Sequence, residues 1–148
     1  MFRGVAQLNL DSKGRLAVPA RFRDALAARC SGHLVITADS DRCLLVYPLP
    51  DWEPIEQKLM ALSSFNTQIR ELQRRLVGYA EDVVMDATGR ILVPPALRQY
   101  AALDKTVVLV GQGAKFELWN KESWEQRMDQ GGGPGPGGLP PELEGFSL

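Results

Sequence analysis

The sequence predicts an α+β protein in which one small module occurs twice in tandem. Three observations support this prediction. A motif at residues 10–19 recurs at residues 85–94, apolar runs typical of short strands flank both copies, and each copy ends in a proline at a position typical of a helix start.

The repeated motif reads LDSKGRLAVP in its first copy and MDATGRILVP in its second. Asp, Gly, Arg, Val and Pro are identical at matching positions, and Arg23 further along matches Arg98. The similarity continues through apolar runs 34–36 and 107–109, runs 44–47 and 116–119, and the Trp-Glu pairs at Trp52 and Trp124. We therefore predict homologous modules at residues 1–62 and 63–130, followed by a Gly/Pro-rich flexible tail at 131–148.

Each motif predicts two short strands joined by a tight turn. In the turn, Gly14 or Gly89 supplies a positive φ, and the carboxylate of Asp11 or Asp86 accepts backbone N–H bonds across it. The predicted strands cover residues 5–10 and 16–18 in the first module and 83–85 and 91–93 in the second. Helices are expected from Pro19 to about residue 29 and from Pro94 to about residue 102, and the four downstream apolar runs are further strands of a small sheet in each module.

The remaining helices are predicted from caps and periodicity. Asp51 and Asn120 are expected N-caps of helices that carry the two Trp-Glu pairs. A linking helix is expected over 65–77, because Phe65, Ile69, Leu72 and Leu76 recur at helical spacing. A module of about 60 residues buries little surface, so two modules should share a core or associate.

Composition and motifs argue against several classes of protein. The 148 residues carry 17 Lys and Arg against 18 Asp and Glu, with 45% apolar and 24% charged positions, which is ordinary for a globular protein. No apolar run approaches the roughly 18 residues that span a bilayer, so we expect a cytoplasmic protein.

Cys30 and Cys43 are expected to be reduced, small apolar residues, and with the single His33 they cannot form a four-ligand zinc site. No phosphate loop or catalytic motif is present and His33 lacks a local partner, so we expect no enzymatic activity, no cofactor, no metal and no small-molecule ligand.

The repeated turns place cations at equivalent exposed positions. Lys13 and Arg15 lie in the first turn, and Arg90 lies beside Thr88 in the second. An arginine fork matches a guanine edge or a phosphate, although Asp and Arg could simply pair and hold each turn, and both roles can coexist.

The distribution of charge favours an anionic partner. Residues 1–29 contain six Lys and Arg but only two Asp, in a chain whose net charge is −1. The pI of about 5.8 is nevertheless low for a nucleic-acid binder. One chain is therefore expected to bind DNA weakly, and several copies must act together.

The doubled Asp-x-x-x-Arg motif, its trailing Pro and the Trp-Glu pairs resemble those of the MraZ family of bacterial transcriptional regulators. The resemblance covers about residues 1–130. It implies two tandem AbrB-like (SpoVT/AbrB) swapped-hairpin β-barrel modules with flanking helices, assembled into a ring-shaped homo-oligomer. It also implies binding of short G-containing direct repeats near promoters of the division and cell wall gene cluster, including the protein's own operon, mainly as a repressor in the nucleoid.

The resemblance also implies residue roles. Arg15 and Arg90 would contact DNA, Lys13 phosphate, Gly14 and Gly89 would allow backbone approach, Thr88 would lie in the second contact, and Asp11 and Asp86 would orient the turns. The second turn has Ala87-Thr88 where the first has Ser12-Lys13, so it carries one positive charge less. Two alternatives remain open: an oligomeric protein-interaction scaffold without DNA binding, and an antitoxin-like AbrB module.

Overall fold

A computed structural model describes residues 1–131 and 140–147 of the chain, and it shows a mixed α+β fold with antiparallel sheets and five α-helices. The strands are β1 Phe2–Asn9, β2 Arg15–Ala17, β3 His33–Ala38, β4 Leu44–Pro48, β5 Glu81–Val84, β6 Arg90–Leu92, β7 Thr106–Gly113 and β8 Lys115–Asn120. The helices are α1 Ala20–Cys30, α2 Leu49–Met60, α3 Thr67–Leu76, α4 Pro95–Tyr100 and α5 Lys121–Gln130, and a short 3-10 helix covers Pro141–Leu143. The predicted tail falls partly on residues 132–139 and 148, which lie outside the described residues.

Both halves of the chain contribute strands to one six-stranded sheet with the order β1-β7-β8-β4-β3-β5. The β3–β4 and β7–β8 hairpins meet through the β4–β8 pair. The first strand of each half pairs with the other half's hairpin, β1 with β7 and β5 with β3. This differs from the expected small sheet in each module, because neither half keeps its own first strand.

The strands that follow the turns leave this sheet and form a separate two-stranded ribbon. β2 pairs with β6 so that Arg15 lies opposite Leu92, Leu16 opposite Ile91 and Ala17 opposite Arg90. Leu16 and Ile91 are 1% and 2% exposed. Each half thus contributes one strand to the ribbon and one large apolar side chain beneath it.

One buried cluster contains residues from both halves. Phe2, Phe22 and Phe116 pack around one another with ring centroids 4.3–6.0 Å apart. The Leu16–Ile91 pair of the ribbon belongs to the same cluster. Because this core draws on both halves, the strand exchange and the ribbon are held by the same apolar burial.

The predicted helix starts after the repeated motifs are confirmed. α1 begins directly after Pro19 and α4 directly after Pro94. The prediction for Asn120 is confirmed too, because its side chain accepts a hydrogen bond from the Ser123 amide at 3.1 Å at the start of α5.

At the linking helices the N-cap predicted at Asp51 is wrong, whereas the helix predicted over 65–77 is confirmed as α3. α2 begins at Leu49, with Pro48 as its N-cap residue, so Asp51 lies within the first turn. There its carboxylate accepts hydrogen bonds from the Arg29 guanidinium at 2.8 and 3.2 Å. Proline at the second helical position is well tolerated and explains the earlier start.

α3 begins later than expected. The side chain of Asn66 caps it by accepting from the Ile69 amide at 3.1 Å, so Phe65 precedes the helix and is 95% exposed. Among the described residues, no helix is long and apolar enough to cross a bilayer.

Candidate nucleic-acid interface

The β2–β6 ribbon presents two arginines on one face. Side chains alternate along a strand, so Arg15 and Ala17 point away from buried Leu16, and Arg90 and Leu92 share that outer face across the ribbon. Arg15 and Arg90 are diagonal neighbours, which places their Cα atoms about 7–8 Å apart. Two planar cations therefore stand side by side on a narrow ribbon.

The first turn is built around the carboxylate of Asp11. Oδ1 accepts the amide N–H groups of Lys13 and Arg15, each at 2.9 Å. The amide of Gly14 donates to the Asp11 carbonyl at 3.0 Å, and Gly14 has the predicted positive φ of 86°. Both predictions about this turn are confirmed.

Arg15 uses only one edge of its guanidinium within the turn. Its Nε donates to Oδ2 of Asp11 at 2.8 Å. Over residues 1–131 and 140–147, neither terminal amine of Arg15 makes a hydrogen bond. The aspartate thus orients the arginine and leaves its two terminal amines without a hydrogen-bond partner in the described residues. Such a pair of donors is able to bind a guanine edge or a phosphate.

The second turn repeats this geometry with an added hydroxyl. Oδ1 of Asp86 accepts the amides of Thr88 and Arg90 at 2.9 Å, and Gly89 has a φ of 80°. The Thr88 hydroxyl donates to Asp86 at 2.7 Å and accepts from Nε of Arg90 at 3.0 Å. The Thr88 hydroxyl therefore helps to orient Arg90.

Both aspartates are held in their charged form. The pKa of Asp11 falls from 3.8 to about 2, mainly because it accepts the Arg15 amide, with smaller contributions from the Arg15 side chain and the Lys13 amide. The pKa of Asp86 falls equally to about 2, mainly because it accepts the Arg90 amide and then because of the Thr88 hydroxyl. The two turns therefore keep their internal bonds throughout the neutral pH range.

Each turn packs against an arginine from the other half of the chain. Arg98 of α4 lies against Gly14, so that a Cβ added to this glycine would be 2.6 Å from its guanidinium carbon. Arg23 of α1 lies against Gly89, where an added Cβ would collide with Nε of that arginine. The predicted site includes neither Arg23 nor Arg98. Their equivalent positions in the two copies of the repeat are the sequence signal that points to them.

The other cations of the basic first segment are dispersed. Arg29 pairs with Asp51, away from the ribbon. Arg21 lies over the ring of Phe22, with 4.8 Å between its guanidinium carbon and the ring centroid. The local charge excess is therefore only partly gathered at the turns.

The remaining candidates for chemistry are separate. Cys43 is buried, and burial raises the pKa of its thiol; Cys30 is half-buried, and its Sγ donates to the Leu26 carbonyl at 3.2 Å. His33 is exposed at the start of β3. Within the described parts of the chain, no three side chains of the metal-ligating types come together.

Comparison with known proteins identifies the family. A family model described as "MraZ protein, putative antitoxin-like" matches residues 1–75 and 76–131. The chain belongs to the MraZ family. It is 63% identical to the transcriptional regulator MraZ of Nitrosospira multiformis over the full length of both chains. It is 60% identical to the proteins of the same name from Nitrosomonas eutropha and Thiobacillus denitrificans, again over the full length of both.

Proposed function

We propose that the chain is a sequence-specific, DNA-binding transcriptional regulator and not an enzyme, and that the outer face of the β2–β6 ribbon reads the DNA. The observation that carries this proposal is the pair Arg15 and Arg90 on the outer face of the ribbon, with side chains 31% and 38% exposed. Each is held through Nε, and its terminal amines make no hydrogen bond in the described residues. The regulator names of the relatives in the MraZ family agree with it.

The ribbon has dimensions that suit the major groove. That groove admits a two-stranded β-ribbon, and arginine is the side chain that most often recognises guanine there. Arg15 and Arg90 lie about 7–8 Å apart, and successive bases rise about 3.4 Å along a strand. The two arginines could therefore reach guanines about two base steps apart, which supports a short G-containing site.

The turns would contact the DNA backbone. Lys13 is exposed beside Arg15 and would bind a phosphate. Gly14 and Gly89 are buried against Arg98 and Arg23, so they would serve the shape of the turns and not the expected close approach to DNA. Thr88 has no charge, so the second turn would contribute less to phosphate binding. Asp11 and Asp86 would hold both arginines in place before DNA arrives.

Several copies are needed for a useful affinity. The net charge of −1 gives one chain little long-range attraction for DNA. Apolar side chains near the α2–α3 connection, Met60, Leu62 and Phe65, are 55%, 46% and 95% exposed. We propose that they contact a second copy of the chain in a ring-shaped homo-oligomer, which would present several ribbons to direct repeats.

The biological target follows from the family resemblance. We propose that the protein acts in the cytoplasm at the nucleoid, mainly as a repressor of the division and cell wall gene cluster and of its own operon. Modules 1–62 and 63–130 would be AbrB-like swapped-hairpin units, each supplying one turn to the shared ribbon. The exchange of β1 and β5 between the halves supports that assignment.

The test is a binding titration of the purified full-length chain against DNA from directly upstream of its own gene. Scrambled DNA of the same length is the competitor, and two salt concentrations are used. We expect specific binding that outcompetes the scramble and weakens as salt rises, because phosphate contacts release counterions.

An equal affinity for both DNAs at both salt concentrations would overturn the proposal. In the scaffold alternative, Arg15→Ala would instead shift the oligomer to smaller species without affecting DNA binding. Light scattering on the same variant separates these two results.

A further inference from the structure

Each arginine-bearing turn is supported by the half of the chain that does not contain it. Arg98 follows the second motif but contacts Gly14 of the first turn. Arg23 follows the first motif but contacts Gly89 of the second. The two contacts are reciprocal and connect residues far apart in the sequence.

The supporting arginines are themselves fixed by backbone groups of their own half. Nε of Arg98 donates to the carbonyl of Val93 at 2.9 Å, and Nε of Arg23 donates to the carbonyl of Val18 at 2.6 Å. In the described residues, neither arginine pairs with a carboxylate. Their placement therefore depends on the planar guanidinium and its Nε–H, which lysine lacks.

Backbone hydrogen bonds also join each of these glycines to the half of the chain that supports it. The amide of Val93 donates to the carbonyl of Gly14 at 2.9 Å, and the amide of Val18 donates to that of Gly89 at 2.8 Å. Each glycine is thus bonded through its carbonyl to the other half's valine while its Cα faces the other half's arginine. A side chain at either glycine would occupy the space that the guanidinium fills.

We infer that Arg98 and Arg23 are positioning residues for DNA recognition across the two halves, Arg98 for Arg15 and Arg23 for Arg90. This inference rests on the proposed function. Arg98 packs on the glycine that directly precedes Arg15, so it restricts the motion of the backbone that aims Arg15. Restricting a recognition group before binding lowers the entropy lost when DNA binds.

The deciding experiment is a set of four double-mutant cycles on the full-length chain with the upstream DNA. Arg98→Ala alone should lower affinity by about 3- to 10-fold. Combined with Arg15→Ala, it should lower affinity by no more than about twofold beyond Arg15→Ala alone, because its effect passes through Arg15. Combined with Arg90→Ala, the two losses should multiply. Arg23→Ala should show the mirror pattern, coupling with Arg90 and not with Arg15.

A second readout needs no DNA. Amide hydrogen exchange in Arg98→Ala should speed up at Arg15 and stay unchanged at Arg90, and Arg23→Ala should do the opposite. Arg98→Lys keeps the charge but loses the Nε–H, so it should behave like Arg98→Ala in both measurements. Circular dichroism of each variant confirms that the overall fold remains.

The outcomes separate the inference from the function on which it rests. If the wild-type chain shows no preference for the upstream DNA, the proposed function fails, whereas the exchange pattern still tests the cross-half support. If Arg15→Ala weakens binding but the double variant loses affinity by the product of the two single losses, the positioning role is overturned. Recovery of affinity by Arg98→Lys would also overturn that role and indicate a direct phosphate contact.

Discussion

Arg15 lies diagonally across from Arg90 on the outer face of the β2–β6 ribbon, with Ala17 and Leu92 completing the same face. The two arginines come from different halves of the chain, and each is oriented through Nε by its own turn. The pair exists because β2 and β6 associate with each other and not with the six-stranded sheet. This relationship makes one continuous surface from two separate motifs.

Replacing Arg15 by Ala should weaken specific DNA binding by about 1–3 kcal/mol, or roughly 5- to 150-fold, because the proposed forked contact to a base would be lost. Arg74→Ala is the matched control, since Arg74 is an exposed cation on α3 that pairs with Glu71. Competition titration measures both variants. Equal losses in the two variants would mean that Arg15 contributes only charge.

The turns should respond to acid in a defined range. A carboxylate whose pKa is lowered by folding stabilises the fold at pH values above its unfolded-state pKa, and this stabilisation is lost as the pH falls through the folded-state pKa. The hydrogen bonds of Asp11 and Asp86 should therefore persist above pH 3.8 and be lost towards about pH 2. An NMR titration of the Arg15 and Arg90 amide shifts should therefore have midpoints near 2. Asp11→Asn should remove the transition at Arg15 alone. A midpoint close to 3.8 at Arg15 would show that the carboxylate does not hold this turn.

The turns were predictable from the sequence because their chemistry is local. Asp11, Gly14 and Arg15 lie within five positions, and the conformation and bonds that they require are short-range. The start of α2 was missed because Pro50 suits an early helical position and Asp51 finds a partner in α1. A cap prediction considers the neighbouring residues only, whereas here a tertiary ion pair uses the aspartate.

The support of each turn by the other half could not be predicted from local pattern. The repeat aligned Arg23 with Arg98 but gave no information on which turn each would reach. That choice depends on the exchange of β1 and β5 and on the pairing of β2 with β6. Pairing register between distant strands is set by the shared core, which no single motif specifies.

Leu16→Ala should reduce the free energy of unfolding by about 2–5 kcal/mol, because Leu16 is fully buried beneath the ribbon and its removal leaves a cavity. Leu92→Ala is the matched control, since Leu92 is 47% exposed on the other face of the same ribbon. Its effect should be about 0.5 kcal/mol or less. Urea unfolding at one protein concentration measures both. Similar losses would contradict the assignment of the inner and outer faces.

Gly89→Ala should destabilise the fold more than Gly113→Ala. Both glycines have a φ near +80°, so each substitution carries a backbone cost of about 1–2 kcal/mol. A Cβ at Gly113 meets no atom within 4 Å, whereas one at Gly89 would displace Arg23. The difference between the variants in thermal or urea unfolding isolates this contact. If the two are equally stable, the packing of Arg23 contributes nothing measurable to the fold.

Phe65→Asp should shift the oligomer to smaller species. Phe65 is 95% exposed beside Met60 and Leu62, and a charge buried there against a second copy would be unpaired and costly. Phe146→Asp is the matched control, because Phe146 is 67% exposed in the C-terminal segment. Light scattering coupled to size exclusion gives the mass of each variant. A mass unchanged by Phe65→Asp would place the contact between copies elsewhere, whereas loss of mass together with loss of operator affinity would show that several ribbons must bind at once.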